Sequence, residues 1–272
     1  MTPSETAPTR IDDTDALVLQ SVDARGVCTL TLNRPRQYNA LSDAVLDELD
    51  AALLASGENP EVRCVVIAAN GPAFCAGHDL RELRASEDRR VHEATFARCS
   101  GLMQRIVAHP VPVIARVQGL ATAAGCQLVA SCDLAVAAER AQFAVSGIRA
   151  GLFCSTPAVA LSRAIAPKRA FEMLVTGDFI DAVTARDWGL VNAVVTDAAL
   201  DEGVARYTDS ICAKSRHAIR RGKALFHRQI ERPLAEAYAD ASEAITCDLS
   251  SHDAREGIDA FLEKRAPHWR DR

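Results

Sequence analysis

The chain has 272 residues, 49% hydrophobic and 25% charged, the balance of a globular protein with a full core, and no apolar stretch is long enough to span a membrane. Its formal net charge is -5, from 31 basic against 36 acidic residues, and no Lys/Arg block reaches the density of a nucleic-acid footprint, which argues against DNA or RNA as a partner. Nine cysteines, an odd number, lie mostly in apolar surroundings without a CxxC pair or a His/Cys cluster, so they read as reduced thiols of a cytoplasmic protein.

Residues 1–15 are polar with two prolines and read as a disordered leader. Ala16–Ser21 and Val27–Leu32 are strand-like runs around Val22-Asp23-Ala24-Arg25-Gly26, a hairpin by its turn residues, and Asn33-Arg34-Pro35 stops the second run. Ser42 caps an amphipathic helix with Val45, Leu46, Leu49, Ala52 and Leu53 on one face. Cys64–Ala68 is a continuous apolar run, as buried parallel strands are, and Asn70-Gly71-Pro72 ends it. A helix is expected from about Val91 to Ala108, closed by Pro110 and Pro112.

The cycle then repeats, with a strand at Val113–Val117, a tight loop at Gln118–Ala124, a helix at Gly125–Ser131 and a strand at Leu134–Ala138. Repeated passes of strand, loop and helix predict an α/β protein with parallel pairing. After Val191–Val195 only helical periods remain: Leu200–Lys214, His217–His227, Pro233–Thr246 and Asp253–Lys264. The expected division is a core at 16–200 and a C-terminal helical region at 201–272. Arg216–Arg221 with Lys223 is locally basic and reads as a solvated helix face or a contact for an anionic ligand.

Two loops carry candidate chemistry. Phe74-Cys75-Ala76-Gly77-His78-Asp79-Leu80 follows a strand, and small residues there let a ligand approach the backbone, with the His78 N–H facing a ligand carbonyl. Taken alone, the segment is an ordinary βα loop, and the His78 ring is expected to be satisfied or solvent-facing. Gly119–Asp133 is a small-residue loop feeding a buried helix, where the Ala124 N–H lacks an intrahelical partner. The side chain placed beside that device for acid–base work is Gln127. An amide can hold a water or a carbonyl but transfers no proton near neutral pH.

Taken together, these segments resemble the crotonase superfamily, also called the enoyl-CoA hydratase/isomerase family. Phe74–Asp79 matches its Phe-x-Ala-Gly-x-Asp loop, and Gly119–Asp133 matches in outline its Gly-x-x-x-Gly-Gly-Gly-x-Glu-Leu…Cys-Asp segment. Leu32-Asn-Arg-Pro35 with Asn39-Ala-Leu41, and Phe261-Leu-Glu-Lys-Arg265, extend the resemblance over about residues 16–267. It implies a spiral core of ββα turns, a C-terminal helical oligomerisation region, and homotrimers or dimers of trimers. The ligand it implies is a coenzyme A thioester, with no permanently bound cofactor and no metal.

The same resemblance assigns roles by position. The N–H groups of His78 and Ala124 would form an oxyanion hole for the thioester carbonyl. The backbone of Ala76 and Leu80 would meet the adenine, Arg36 would approach the CoA phosphates, and Lys264 would do so from a neighbouring subunit, unless it is a solvated charge. The hydratase glutamates do not carry over, since their places fall on Gln127 and Gly147. Cys154, just before a helix, is either an activated nucleophile or, more simply, a pocket-lining thiol with Ser155 or Thr156 capping the helix. Cys75, Cys126 and Ser146 receive the same simple reading, and Asp133 reads as structural. Two functions stay open: an atypical lyase or thioesterase-type enzyme with a water held by Gln127, and a non-catalytic acyl-CoA sensor, carrier or structural oligomer.

Overall fold

The computed structural model describes residues 16–272, so the leader expected at 1–15 lies outside the described residues. Strands β1 (Val18–Val22) and β2 (Val27–Leu32) pair antiparallel, with a turn that closes at Gly26, whose φ of 85° suits glycine. Helix α1 (Asp43–Glu58) starts where the Ser42 hydroxyl accepts the Val45 N–H at 3.2 Å, and it buries Val45, Leu46, Leu49 and Leu53. Strand β3 (Cys64–Ala69) is buried along its whole length, as a strand covered on both faces must be.

Three passes of long strand, short strand and helix follow one another. The first is β3, β4 (Ala73–Cys75) and, after the short α2 (Leu80–Ala85), α3 (Arg89–Ala108). The second is β5 (Val113–Val117), β6 (Leu120–Thr122) and α4 (Ala124–Ser131). The third is β7 (Leu134–Ala138), β8 (Gln142–Ala144) and α5 (Ser155–Ala164). Then come α6 (Pro167–Thr176), β9 (Ile180–Asp181), α7 (Ala182–Trp188) and β10 (Ala193–Val195). The long strands form a six-stranded sheet in the order β1-β2-β3-β5-β7-β10, parallel beyond the first hairpin. The short ones form a second sheet, β4-β6-β8-β9. This is the expected ββα spiral.

Four helices complete the chain: α8 (Leu200–Cys212), α9 (Arg216–Gln229), α10 (Leu234–Asp248) and α11 (His252–Glu263). Leu200 and Val204 of α8 pack on Val27, Cys64, Val66, Ile114, Val136 and Ala138, the face of the large sheet opposite the main core. The short strands β4, β6 and β8 run through stretches that read as loops or went unread. Three residues are too few to show a period of two. They matter because β4 and β6 carry the chain into the two candidate loops and β8 carries it into the turn that holds Gly147.

Candidate active site

Glycines bring the two loops into contact. A Cβ on Gly125 would stand 2.1 Å from the Cys75 carbonyl oxygen, and one on Gly119 would stand 2.0 Å from that of Pro72. Gly77, at φ 90°, lies against Ala123 and Ala124, with its missing Cβ position 3.2 Å from the Ala124 nitrogen. The end of β4 and the start of α4 therefore touch backbone to backbone, which a side chain at any of these positions would prevent. Ala123 adopts φ 50° and ψ -120°, a strained conformation for alanine, held by its N–H bond to the Ala144 carbonyl at 3.0 Å.

The hydrogen bonding around this contact leaves two donors free. Leu41 donates to the Gly77 carbonyl at 2.8 Å and Asp79 donates to the Leu41 carbonyl at 3.0 Å, bracketing His78. Among the described residues, the N–H groups of His78 and Ala124 donate to no protein acceptor. Ala124 opens α4, where such N–H groups have no intrahelical partner.

Side chains leave this loop in opposite directions. Asp79 accepts the Arg81 N–H at 3.1 Å, capping α2, and meets the Arg34 guanidinium at 3.3 Å. The His78 ring turns under α3 and packs edge-on to Phe96 at 5.1 Å. Both ring nitrogens are buried with no hydrogen-bond partner among the described residues, and burial pushes the imidazole pKa down. That corrects the expectation of a satisfied or solvent-facing ring. The backbone pairing of residues 77–79 with Leu41 turns the ring toward the aromatic edge of Phe96, where desolvation outweighs the opposing pull of Asp43 and the Leu41 backbone.

The first loop also rests on a platform that the sequence reading did not foresee. Asn39, buried at φ 54°, donates through Nδ2 to the carbonyls of Asn70 and Ala73 at 2.8 Å each and accepts the Arg34 N–H at 2.8 Å. Ala76 donates its N–H to the Tyr38 carbonyl at 3.0 Å. Arg36 stands exposed on the 3-10 turn Pro35–Gln37, and Leu80, 64% exposed, opens α2. Lys264 ends α11 in a left-handed conformation. Helix α11 packs on α9.

Gln127 is buried one turn into α4, its N–H bonded to the Ala123 carbonyl at 3.0 Å, and its Oε1 has no partner among the described residues. Gly147 lies in the 3-10 turn Ser146–Ala150 and donates its N–H to the Cys154 sulfur at 3.3 Å. A Cβ at Gly147 would stand 2.7 Å from that sulfur and 2.8 Å from the Leu152 carbonyl oxygen, so the position has no room for a side chain as folded. Cys154 is itself the residue preceding α5, and neither Ser155 nor Thr156 caps the helix. Burial raises the Cys154 thiol pKa against the Gly147 N–H, the direction opposite to an activated nucleophile. Cys75 and Cys126 are buried thiols pushed up to about 12, and Ser146 shares a hydrogen bond with Thr122 at 2.8 Å.

Asp133 is structural. Its carboxylate accepts the Val113 N–H at 2.7 Å and Lys223 Nζ at 2.6 Å, and lies 3.0 Å from His227 Nε2. Lys223 also donates to the Ile106 and Val111 carbonyls and is buried, not part of a solvated face. A cavity of about 1700 Å³ runs between α3, α4, α5 and α9, bordered by Gln127 at one side and by this ion cluster at another. Among the described residues, no group of three or more His, Cys, Asp or Glu side chains is placed to hold a metal ion. Among them, too, no helix is long and apolar enough to cross a membrane.

The chain resembles known proteins over nearly all of its length. The family described as Enoyl-CoA hydratase/isomerase matches residues 23–272. Enoyl-CoA hydratase domain-containing protein 3, mitochondrial, is 46% identical in both Rattus norvegicus and Homo sapiens, over 90% of this chain and 81% and 80% of those proteins. A crystal structure of enoyl-CoA hydratase from Mycobacterium smegmatis superposes with a TM-score of 0.93 at 56% identity, covering 94% of this chain and 99% of that one. The crystal structure of human enoyl-CoA hydratase domain-containing protein 3 gives 0.91 at 44% identity, over 93% of this chain and 100% of that one. The vertebrate relatives bear the word mitochondrial in their names, which overturns the cytoplasmic placement expected here. Reduced thiols mark a reducing environment and do not say which one. By sequence over almost its full length and by fold, the chain belongs to the enoyl-CoA hydratase/isomerase, or crotonase, family.

Proposed function

We propose that this protein binds acyl-CoA thioesters, with the thioester oxygen between the N–H groups of His78 and Ala124, and that it is no two-carboxylate hydratase. The observation that carries this reading is the pair of unpartnered N–H groups on backbone segments held together at Gly77 and Gly125. Two such donors polarise a carbonyl and stabilise an oxyanion, each worth roughly a hundred- to thousand-fold in rate where measured in other enzymes. Adding water across a double bond also requires one group to activate the water and another to protonate carbon. Gln127 and Gly147, the residues at the two acid positions, do neither. The chemistry left is thioester-directed, an atypical lyase or thioesterase-type step. Arg36, with the backbone of Ala76 and Leu80, is assigned to the nucleotide end of CoA, and Lys264 to that of a neighbouring subunit in a homotrimer or dimer of trimers.

Calorimetric titration with butyryl-CoA and crotonyl-CoA tests the binding, and absence of any heat for either thioester sinks the reading. With binding in hand, crotonyl-CoA absorbance is expected to stay flat under wild-type protein. Restoring hydration takes Gln127→Glu and Gly147→Glu together with Cys154→Ala and a shift of the turn at Leu152, because both the thiol and the Leu152 carbonyl stand where the new Cβ must go. A wild-type hydration rate typical of enzymes, at or above about 1 s⁻¹, would show that the two acids are supplied from elsewhere.

A further inference from the structure

The Ala73 carbonyl, at the start of β4, accepts from two buried carboxamides that belong to different parts of the chain. Asn39 Nδ2 reaches it at 2.8 Å from the segment before α1, and Gln118 Nε2 reaches it at 2.9 Å from the head of the second loop. The two residues are 1% and 6% exposed. A carbonyl oxygen has two lone pairs, so these bonds fill it. Each carboxamide also donates to the turn before β4: Asn39 to the Asn70 carbonyl at 2.8 Å and Gln118 to that of Gly71 at 3.1 Å.

This node lies where the direction of the first loop is set. The pairing of β4 with β6 slips between Ala73, opposite Leu120, and Cys75, opposite Ala121. A bulge re-aims the strand that carries it, and this one lies just ahead of His78. Beyond it, residues 38–41 run beside the loop as a rail: Ala76 donates to the Tyr38 carbonyl at 3.0 Å, Leu41 to that of Gly77 at 2.8 Å, and Asp79 to that of Leu41 at 3.0 Å. The rail bends through left-handed Tyr38 and Asn39, at φ 51° and 54°, a region that Asn tolerates better than most residues. Asn39 Oδ1 closes the bend by accepting the Arg34 N–H at 2.8 Å. On the other side, Gln118 leads through β6 to Ala124, which the missing Cβ of Gly77 approaches to 3.2 Å at its nitrogen. The Ala73 carbonyl thus ties the segment that carries the His78 N–H to the segment that carries the Ala124 N–H.

We propose that Asn39 and Gln118 are positioning residues that hold those two N–H groups at the spacing of a single carbonyl oxygen. This rests on the thioester reading above and adds to it the side chains that keep its geometry. Hydrogen bonds weaken steeply once misaligned. A small rotation of either loop therefore costs recognition of the carbonyl before it costs contact with the rest of a ligand.

The test is calorimetric titration of the full chain with butyryl-CoA and with S-butyl-CoA, a thioether in which a methylene replaces the carbonyl. Wild-type protein is expected to prefer the thioester by roughly five- to hundred-fold. Asn39→Gly keeps the left-handed backbone at no steric cost and deletes the carboxamide, and Gln118→Met keeps the length and deletes the donors. In each variant the preference is expected to fall at least about three-fold, with S-butyl-CoA affinity within about two-fold of wild type. A parallel loss for both ligands overturns the proposal, since the two side chains then serve packing alone. An undiminished preference in either folded variant also overturns it. The two substitutions lie in separate segments, so one still decides if the other unfolds the protein. Equal wild-type affinity for thioester and thioether overturns the thioester reading itself, and the positioning role with it.

Discussion

Burial keeps the His78 and His109 rings neutral. Both imidazole pKa values are lowered, with desolvation the leading cause in each, and His109 is held between Ser56 Oγ at 3.1 Å and the Val111 carbonyl at 3.0 Å. A histidine with a folded pKa below its unfolded value of about 6.5 takes up its proton in the unfolded chain first. As the pH falls through that window the unfolded state binds more protons, so stability is lost on acidification and is fully present above it. Thermal unfolding midpoints should therefore drop as the pH falls below about 6.5. His78→Leu should make this dependence shallower, leaving the share of His109, without touching the backbone N–H at the same residue. An identical pH slope in wild type and variant would mean that the ring titrates as it does in water. The separation is useful because the N–H and the imidazole of one residue are placed differently, the N–H without a protein acceptor among the described residues and the ring packed against Phe96 of α3.

Helix α9 is fastened to the spiral by an ion cluster and not only by apolar contact. The Lys223 side chain is 7% exposed, and its ammonium reaches Asp133 and two backbone carbonyls. Lys223→Met leaves the Asp133 carboxylate buried beside His227 and the Val113 N–H alone, and breaking a buried pair from one side costs about 3–5 kcal/mol. Urea unfolding should show a loss of that size, and Asp133→Asn on the same background should recover part of it. A loss within the error of the extrapolation would show that water reaches the cluster. None of this was visible in the chain, where Lys223 read as one more charge on a basic helix. Its burial is set by α9 packing against α3 and the Val111–Asp133 backbone, a tertiary event with no local period. The long strands, the capped α1 and the four C-terminal helices were legible because burial imposes a repeat on them. The two loops were legible from glycine spacing, since backbone contact demands small residues. The donors themselves are main-chain groups and left no side-chain mark, and the Cys154–Gly147 contact joins residues whose sequence spacing has no chemical signature.

As a single subunit the molecule shows more apolar surface than a monomer keeps. Leu234, Tyr238, Phe261 and Leu262 on α10 and α11 are 75%, 69%, 82% and 71% exposed, and Leu152 and Phe171 near α5 and α6 are 60% and 61% exposed. Several large apolar side chains left exposed mark contact surfaces, and two separate exposed regions on one subunit suit a closed ring of copies related by rotation. Light scattering should return three or six times the 29.2 kDa subunit mass, and Phe261→Arg with Leu262→Asp should shift it toward the monomer. A wild-type protein that elutes and scatters as a monomer refutes the assembly. Lys264 stands next to that face, so loss of CoA affinity in Lys264→Ala should appear only in protein that still assembles.

The sulfur of Cys154, resting on the Gly147 N–H, also limits what position 147 can hold. A carboxylate at 147 is not one substitution away. The first added carbon would meet sulfur at 2.7 Å and the Leu152 carbonyl oxygen at 2.8 Å, so the thiol must leave and the turn must shift before an acid gains anything. Each of those changes taken singly disturbs packing and restores no chemistry. An acid at 147 is therefore reachable only through several coordinated changes, and a screen of single substitutions at that position should return poorly folded protein instead of a new activity.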